Sequence, residues 1–391
     1  MKNETTALNP IDRMIDFLIT HYAFRYNTVM NCTEYRPVDS PVGSFEPLDL
    51  RTRRRIILEV QREGIEVSPN DIRNYIESDY VRQFDPVGDY LVSCEGAWDG
   101  HDHIGDLART VPTDAPLWHK WFKTWLLAMV SQWQNQPSRL YGNSVAPLLI
   151  SPQGYHKSTF CRRLLPDALK WGYTDSLTLS DRRQVMLAMS QQLLINLDEF
   201  NQISPRVQQG FLKNIIQLPS VKVKRPFGTH IEELPRKASF IATSNMTDIL
   251  ADPSGNRRFI GIELTAPIDT SRVPDHRQLF AQALQLLRNG RRSWFDKAET
   301  EQIMLWNRRY EIQEPADQYF SLCFSVAADP LDPTAEWLST AEIFDVIKQK
   351  VGSSLKANTL IAFGRKLANM PGMHRRKCET CTRYLVKRVG Q

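Results

Sequence analysis

Three short, mostly hydrophobic runs lie in the middle of the chain, at positions 145–150, 193–197 and 238–243; the first is continuous, the second contains Asn196 and the third contains Ser239 and Thr243. A mostly apolar run of this length is typical of a strand that is buried on both faces of a parallel sheet. Residues 181–190, between the first two runs, have the spacing of a helix. The pattern predicts an α/β sheet, and ligands of such sheets bind at the carboxyl ends of the strands.

The segments before the sheet are less informative. Residues 118–130 place apolar side chains three and four positions apart, which predicts a core-facing helix. We interpret residues 84–142 as a helical collar that precedes the sheet. Residues 1–83 contain no motif that indicates chemistry, and we assign no role to them.

The C-terminal part has a different pattern. Ser339 and Glu342 have the spacing of a capping box, which predicts a helix that extends to about residue 351. A second helix is predicted at residues 357–369 and a hairpin at residues 373–389. A helix, a second helix and a basic hairpin in this order indicate a winged helix.

Composition limits the class of protein. With 391 residues, of which 42% are hydrophobic and 24% charged, the chain is expected to fold around several cores. We find neither a signal peptide nor a run near the roughly 20 apolar residues of a membrane span, so we expect a cytoplasmic protein without a membrane partner. The six cysteines form no framework and are expected to be reduced thiols.

Basic residues are concentrated at the C-terminal end. Residues 356–391 contain nine Lys or Arg and the single acid Glu379, which indicates a polyanion-binding surface. The candidate DNA contacts in this tail are Arg375, Arg376, Lys377, Lys387 and Arg388.

A candidate phosphate-binding loop follows the first hydrophobic run. A tight turn into a helix directs N–H groups and the positive end of the helix dipole at a phosphate. Lys157 is expected to reach the β and γ phosphates, and Ser158 to offer a hydroxyl to magnesium. The usual glycines at the first and sixth positions are Ser151 and His156, so a positive φ at His156 would be costly and nucleotide affinity could be weak. The expected nucleotide-binding residues are Gln153, Gly154, Tyr155, His156, Lys157, Ser158 and Thr159; the alternative is a Lys-Ser pair that opens an ordinary helix.

Polar residues end the other two hydrophobic runs. Asp198 and Glu199 follow the second run, where Asp198 is predicted to order the magnesium shell and Glu199 to polarise the attacking water. Carboxylates that are desolvated at a strand end would need a cation, whereas solvated carboxylates are the alternative. Asn245 follows the third run and is predicted to orient water beside the γ phosphate, with a helix cap as the alternative.

Two basic segments have candidate roles: the first could bind DNA, and the second could supply an arginine that acts on the nucleotide site of a neighbouring subunit. Residues 221–230 alternate so that Lys222 and Lys224 share one face of a hairpin, and this segment could hold DNA phosphates or be a solvated edge strand. Arg257 and Arg258 follow a turn, and one of them could be an arginine finger or a surface ion-pair partner. The candidate DNA contacts in the hairpin are Lys222, Lys224, Arg225 and His230.

These motifs in this order resemble the virulence-associated protein E family, whose members look like superfamily 3 helicases. The resemblance covers residues 85–264 and implies an AAA+-like P-loop core, ring assembly as a hexamer, and ATP with Mg²⁺. It also implies a mobile genetic element such as a phage, genomic island or conjugative element. It favours the hairpin lysines and Arg225 as DNA contacts, and Arg257 or Arg258 as the finger. The segments that carry the resemblance are 85–91, 98–100, 153–160, 197–200, 243–245 and 255–259.

We therefore expect an ATP-dependent helicase or translocase that single-stranded DNA stimulates and that acts in replication of the element. Origin duplex DNA is a further expected partner. Many relatives carry a primase domain, for which residues 1–83 are too short, so a separate primase or replisome is expected. The alternative is a DNA-binding initiator or regulator with a degenerate nucleotide site, whereas the paired acids and basic segments disfavour a small-molecule kinase. The expected domains are the N-terminal region 1–83, the collar 84–142, the P-loop ATPase 143–300, and the linker helix with winged helix 301–391.

Overall fold

A five-stranded parallel sheet occupies the middle of the computed structural model, and a smaller unit that combines helices with a sheet lies on either side of it along the chain. The chain is thus an α/β protein with mixed sheets. No helix of the described part of the chain has the length and apolarity needed to cross a membrane. The structure describes residues 9–40, 44–134, 141–224, 230–252, 256–312, 315–351, 359–370, 372–379 and 381–389.

The central sheet has the strand order β11-β5-β10-β7-β6, and each neighbouring pair is parallel. The three predicted buried runs form β5, β7 and β10, whose residues are all buried. The strands are β5 (Ala146–Ile150), β6 (Tyr173–Thr174), β7 (Leu194–Leu197), β10 (Ser239–Ser244) and β11 (Phe259–Glu263), with the hairpin β8 (Ser220–Val223) and β9 (Glu232–Pro235) between β7 and β10.

Helices cover both faces of this sheet because its strands are apolar on both faces. On one face, the tryptophans of the predicted helix, including Trp118 and Trp125, share a core with Leu149 of β5 and Phe280. On the other face, Val185 and Met189 share a second core with further residues of β5, β7 and β10. The helices of this part are α4 (Pro86–Cys94), α5 (His103–Arg109), α6 (Trp118–Trp133), α7 (Lys157–Arg163), α8 (Arg182–Gln191), α9 (Pro205–Val207), α10 (Lys213–Ile215), α11 (His276–Arg288) and α12 (Lys297–Asn307).

The N-terminal unit is a sheet with helices, which the sequence pattern did not predict. Its strand order is β3-β2-β1-β4, and Met14, Leu18, Ile56, Val60 and Ile72 contribute to a separate core. Its elements are α1 (Pro10–His21), β1 (Tyr22–Asn27), β2 (Cys32–Pro37), β3 (Glu46–Pro47), α2 (Leu50–Arg62), α3 (Pro69–Ile76) and β4 (Gln83–Phe84).

The C-terminal unit contains the two predicted helices and the predicted hairpin around its own core of aromatic and aliphatic residues. The capping box is present: the Ser339 backbone N–H donates to Glu342, and the Glu342 backbone N–H donates to the Ser339 hydroxyl. Its elements are α13 (Pro315–Cys323), β12 (Phe324–Val326), β13 (Ala335–Ser339), α14 (Thr340–Val351), α15 (Thr359–Asn369), β14 (Arg375–Lys377) and β15 (Thr382–Arg388).

A glycine in β11 is a sensitive point of the central sheet. A Cβ at Gly261 would overlap the buried Tyr310 ring, while the Gly261 backbone bonds to Asn307 and Trp306 prevent the strand from moving away. We expect Gly261→Ala to lower the free energy of unfolding by about 1–3 kcal/mol, as overpacking does. Chemical denaturation measures this, and Gly210→Ala, where a Cβ meets no atom within 4 Å, is the control. Equal stability of the two variants would contradict the prediction.

Candidate functional site

The register of the central sheet brings three loops to one edge. Ile150 of β5 is paired with Ser244 of β10, and Leu197 of β7 is paired with Ala242 of β10. Because all these pairs are parallel, the carboxyl ends of β5, β10 and β7 meet at the same edge. The loops that follow the three strands therefore start side by side.

A cavity of about 280 Å³ lies at this edge. It contains every residue of the predicted phosphate loop, together with the two predicted acids and the predicted asparagine. Thr243 and Ser244, at the end of β10, complete its wall. The lining residues are Gln153, Gly154, Tyr155, His156, Lys157, Ser158, Thr159, Asp198, Glu199, Thr243, Ser244 and Asn245.

The ammonium group of Lys157 is held at the floor of this cavity. It donates to the carbonyl oxygens of Ser151 at 2.7 Å and Pro152 at 3.0 Å. It also donates to the Ser151 hydroxyl at 2.9 Å and to Oδ1 of Asn245 at 3.0 Å. Burial lowers the pKa of Lys157, and attraction to Asp198 partly offsets that effect. The amine thus has neutral oxygen partners, and an anion in the cavity would supply the charge that these partners lack.

The backbone of the candidate phosphate loop contains two left-handed residues. Gly154 and His156 both have a positive φ, of +84° and +61°. Within the described residues, no acceptor is assigned to the backbone N–H groups of Gly154, His156 or Ser158. Consecutive N–H groups in such a left-handed turn form a concave site for an anion.

The oxygen atoms opposite the loop suit a hard cation. The Ser158 hydroxyl lies 3.5 Å from Oδ1 of Asp198, and the Thr243 hydroxyl donates to the same oxygen. Hydroxyl and carboxylate oxygens are ligands that Mg²⁺ accepts, usually together with water and phosphate oxygens. The residues present therefore fit the predicted cation.

Both acids are exposed, contrary to the desolvation argument made from the sequence. They follow the buried strand β7 but lie beyond it, so burial alone gives no reason for a cation there. Glu199 has a left-handed backbone with φ of +48°, and its carboxylate accepts a hydrogen bond from the Gln202 side chain.

Backbone strain is concentrated at the cavity. Among the described residues, the non-glycine residues with positive φ are Asn31, His156 and Glu199, and two of these three line the cavity. Each such residue costs of the order of 1 kcal/mol, and such costs are found most often at functional sites.

Sequence reasoning missed two groups that act on the acids, the Thr243 hydroxyl and the Gln202 amide. Thr243 was counted as part of the third hydrophobic run, although a polar residue one position before the end of a buried strand is itself a signal. Sequence reasoning also missed the hydrogen bond that the Lys157 ammonium donates to the Asn245 side chain. Nothing in the sequence marks Gln202.

The two candidate arginine fingers differ in their surroundings, and neither lines the cavity of its own chain. Arg258 is half-buried and donates to Oε1 of Gln217 at 2.9 Å. Burial, with repulsion from Arg257, lowers the pKa of Arg258. Arg257 is exposed and forms no ion pair with the part of the chain that the structure describes.

The predicted hairpin is formed by β8 and β9. Val221 and Val223 are buried while Lys222 and Lys224 are exposed, so the two lysines share one face as predicted. The Lys222 ammonium lies 3.7 Å from the Glu233 carboxylate on β9, which partly compensates its charge. His230 is exposed, and Arg225 lies outside the described residues.

The basic tail divides into two groups. Arg375, Arg376 and Lys377 are exposed on β14. Lys387 forms an ion pair with Asp332, and Arg388 forms one with Glu336 at 3.0 Å. The charge count from residue 356 onward missed these acids because they precede that residue in the sequence.

The left-handed conformation of His156 has a measurable consequence. A glycine there avoids the clash of Cβ with the backbone, whereas an alanine retains it. We expect the ligand-free His156→Gly protein to be more stable than His156→Ala by about 1 kcal/mol. Denaturant unfolding of both variants measures the difference, and since both lack the imidazole, the comparison isolates the backbone effect. An alanine variant as stable as the glycine variant would refute it.

Comparisons with known proteins place the chain in a family. The model of the Virulence-associated protein E-like domain matches residues 91–312, and the model of a domain of unknown function, DUF3874, matches residues 313–386. A search of curated proteins found no match. Among solved structures, the apo NrS-1 C terminal region (305–718) is 12% identical, with 98% of this chain and 100% of that chain covered and a TM-score of 0.49. Its A form is 11% identical, with 97% and 100% covered and a TM-score of 0.47. Because the model of the Virulence-associated protein E-like domain matches more than half of the length of this chain, the chain belongs to that family.

Proposed function

We propose that the protein is an ATP-dependent helicase or translocase, stimulated by single-stranded DNA, that acts in replication of a mobile genetic element. The observation that carries the proposal is the convergence of Lys157, Asp198, Glu199 and Asn245 on one cavity at the edge of the parallel sheet. Membership of the family supports it, since the same motifs gave the resemblance to superfamily 3 helicases. A separate primase or replisome would supply primers.

Within this proposal, the cavity holds the phosphates of ATP. The Lys157 ammonium exchanges its carbonyl partners for phosphate oxygens, and the N–H groups of Gly154, His156 and Ser158 donate to the same anion. The Ser158 hydroxyl and the Asp198 carboxylate are the groups that would hold Mg²⁺. The cation, when bound, supplies positive charge that neutralises the phosphate oxygens.

The other residues of the cavity act on water. Glu199 accepts a proton from the attacking water, and the exchange of its Gln202 partner for water frees its carboxylate. Asn245 offers a neutral amide, which orients the water without adding charge. Thr243 donates to Asp198 and so fixes the orientation of that carboxylate.

The arrangement of the chain supports the predicted architecture, an AAA+-like P-loop core with a collar and a winged helix. The candidate loop follows β5, an inner strand of the sheet, and leads directly into α7. In the C-terminal unit, α14, α15 and the hairpin of β14 and β15 follow one another as in a winged helix. We propose the domains 1–83, 84–142, 143–300 and 301–391 on this basis.

DNA contacts are proposed at two surfaces. Lys222 and Lys224 project from one face of the β8–β9 hairpin, which suits the phosphates of a single strand. Arg375, Arg376 and Lys377 are exposed on β14 and suit origin duplex DNA. Further proposed DNA contacts are Arg225, His230, Lys387 and Arg388. The last two would have to leave their acidic partners to bind DNA.

We further propose a ring, with a hexamer as the expected form, in which Arg257 acts as the finger. Arg258 is engaged with Gln217 of its own chain, whereas Arg257 is exposed. An exposed guanidinium can reach the γ phosphate that a neighbouring subunit holds, where it stabilises developing charge.

A second candidate is a DNA-binding initiator or regulator with a degenerate nucleotide site. The observation that favours it is His156, which occupies a left-handed position where phosphate loops usually have glycine.

The main test is ATP turnover with and without single-stranded DNA. We expect Glu199→Gln to reduce DNA-stimulated turnover at least about a hundredfold, because general-base catalysis contributes about 10²–10⁴-fold, while ATP binding is retained. Glu301→Gln, an exposed site on α12, removes the same charge and is the matched control. DNA binding without turnover in the parent would favour the initiator, and turnover indifferent to DNA would favour a kinase.

The trans action of Arg257 can be tested by mixing. Arg257→Ala and Glu199→Gln proteins are each expected to be inactive alone. An equal mixture should regain up to about a quarter of the parent turnover, because random assembly pairs an intact Glu199 with an intact Arg257 at about that fraction of interfaces. Measured turnover no higher than the sum of the separate variants would argue against trans action, and Arg258→Ala in place of Arg257→Ala is the comparison.

A further inference from the structure

A row of arginines lies on the outer face of α2 in the N-terminal unit. With about 100° per residue in an α-helix, Arg51, Arg54, Arg55 and Arg62 fall within about 60° of one line along the helix. All four are exposed. We call these four residues the α2 arginine stripe.

The opposite face of α2 fixes the orientation of this stripe. Ile56 and Val60 are completely buried in the core of the N-terminal unit. These residues lie about 140–180° around the helix from Arg51. The packing of the helix on its own unit therefore turns the stripe to solvent.

The stripe differs from other arginines of the same unit in its lack of acidic partners. Arg53 forms an ion pair with Glu77 at 2.9 Å, and Arg73 lies 3.9 Å from the same carboxylate. Among the described residues, no ion pair involves the four arginines of the stripe. Their charge is therefore available to a partner.

The acids nearest to the stripe have other roles or point elsewhere. The Glu59 carboxylate accepts a hydrogen bond from the buried Tyr22 hydroxyl, and the Asp49 carboxylate caps the first turn of α2. Glu59 and Glu63 project about 80° and about 120° away from the line of the stripe. Arg55 and Arg62 border a groove that also contains Asp39, Glu59 and Glu63, whereas Arg51 and Arg54 lie outside that groove.

The chemistry of the stripe fits the phosphodiester backbone. The guanidinium group matches phosphate oxygens in a bidentate geometry. The stripe is about 16 Å long at 1.5 Å per residue, which equals the length of duplex axis over which one strand has about five phosphates, at a rise of about 3.4 Å each. It carries no aromatic side chain on which an unpaired base could stack. Leu58, an exposed hydrophobic residue between these arginines, is by itself too little apolar surface for a membrane-binding face.

We propose that the α2 arginine stripe binds the backbone of duplex DNA without sequence preference, which gives the N-terminal unit a role as a duplex-binding module. This contact is separate from the hairpin and the C-terminal tail. It does not require the nucleotide site.

The test compares two variants of the full chain that each lose four positive charges. In the first, Arg51, Arg54, Arg55 and Arg62 are replaced by Gln. In the second, the off-stripe residues Arg13, Arg53, Arg73 and Arg82 are replaced by Gln. Binding to a labelled duplex is measured by fluorescence anisotropy without nucleotide over a series of salt concentrations.

The stripe variant should bind the duplex at least about tenfold more weakly at low salt. Its plot of log affinity against log salt should be shallower by about 3 to 4, since each phosphate contact contributes about 0.9. The off-stripe variant should keep the parent slope. If the fourfold variant does not fold, the double variants Arg51→Gln/Arg54→Gln and Arg55→Gln/Arg62→Gln should each lower the slope by about 2.

Three outcomes would overturn the proposal. In the first, the plots of log affinity against log salt have equal slopes for the two fourfold variants, which would show that only the net charge of the protein affects duplex binding. A single strand of the same length could lose as much affinity as the duplex. Binding to phosphatidylserine vesicles could depend on the stripe while duplex binding does not, which would indicate a membrane surface. ATP turnover without DNA, measured in parallel, should stay at the parent value in the stripe variant. This measurement distinguishes failure of the proposed ATPase function from failure of the proposal about the stripe.

Discussion

The parallel register of β5, β10 and β7 is the constraint on which the candidate site depends. Lys157 and Asp198 are separated by 40 residues in sequence, and Asn245 lies further still, yet each follows a strand that ends at the same edge. A strand shifted by one residue would turn its side chains to the opposite face and move the polar residue away from the cavity. The two apolar cores that fix the sheet from both sides therefore also fix the geometry of the site.

Backbone strain at two residues also accompanies the geometry of the candidate site. His156 and Glu199 both have left-handed backbones without being glycine, which costs free energy that the rest of the fold offsets. At His156 the conformation lies at the turn that leads from β5 into α7, at the wall of the cavity. At Glu199 it turns the carboxylate away from the end of the buried strand β7 and into solvent. The same conformation thus occurs in the candidate phosphate loop and at a candidate catalytic acid, at one edge of the sheet.

The sequence predicted the central sheet and most of the residues that line the cavity, because buried parallel strands have a distinctive pattern and polar residues follow their ends. It did not predict the N-terminal sheet, whose strands β1 and β2 are largely half-buried and contain Arg25, Glu34 and Arg36 among aromatic residues. It also could not show that Thr243 and Gln202 hydrogen-bond to the two acids. Such contacts depend on the positions of side chains across strands and turns, which periodicity does not encode.

The number of charged residues in a segment does not give the charge of the surface that the segment forms in the fold. The C-terminal tail has a large excess of basic residues, yet Lys387 and Arg388 are paired with acids from β13 and the segment before it. Residues 9–84 contain ten Arg and twelve Asp or Glu, a net charge of −2, so a count gives no reason to expect an anion-binding surface there. The helical period of α2 nevertheless gathers four of those arginines on one exposed face and leaves the acids on the flanks. Because phosphate binding depends on local charge within about one Debye length, a unit with a negative total can still present a positive surface.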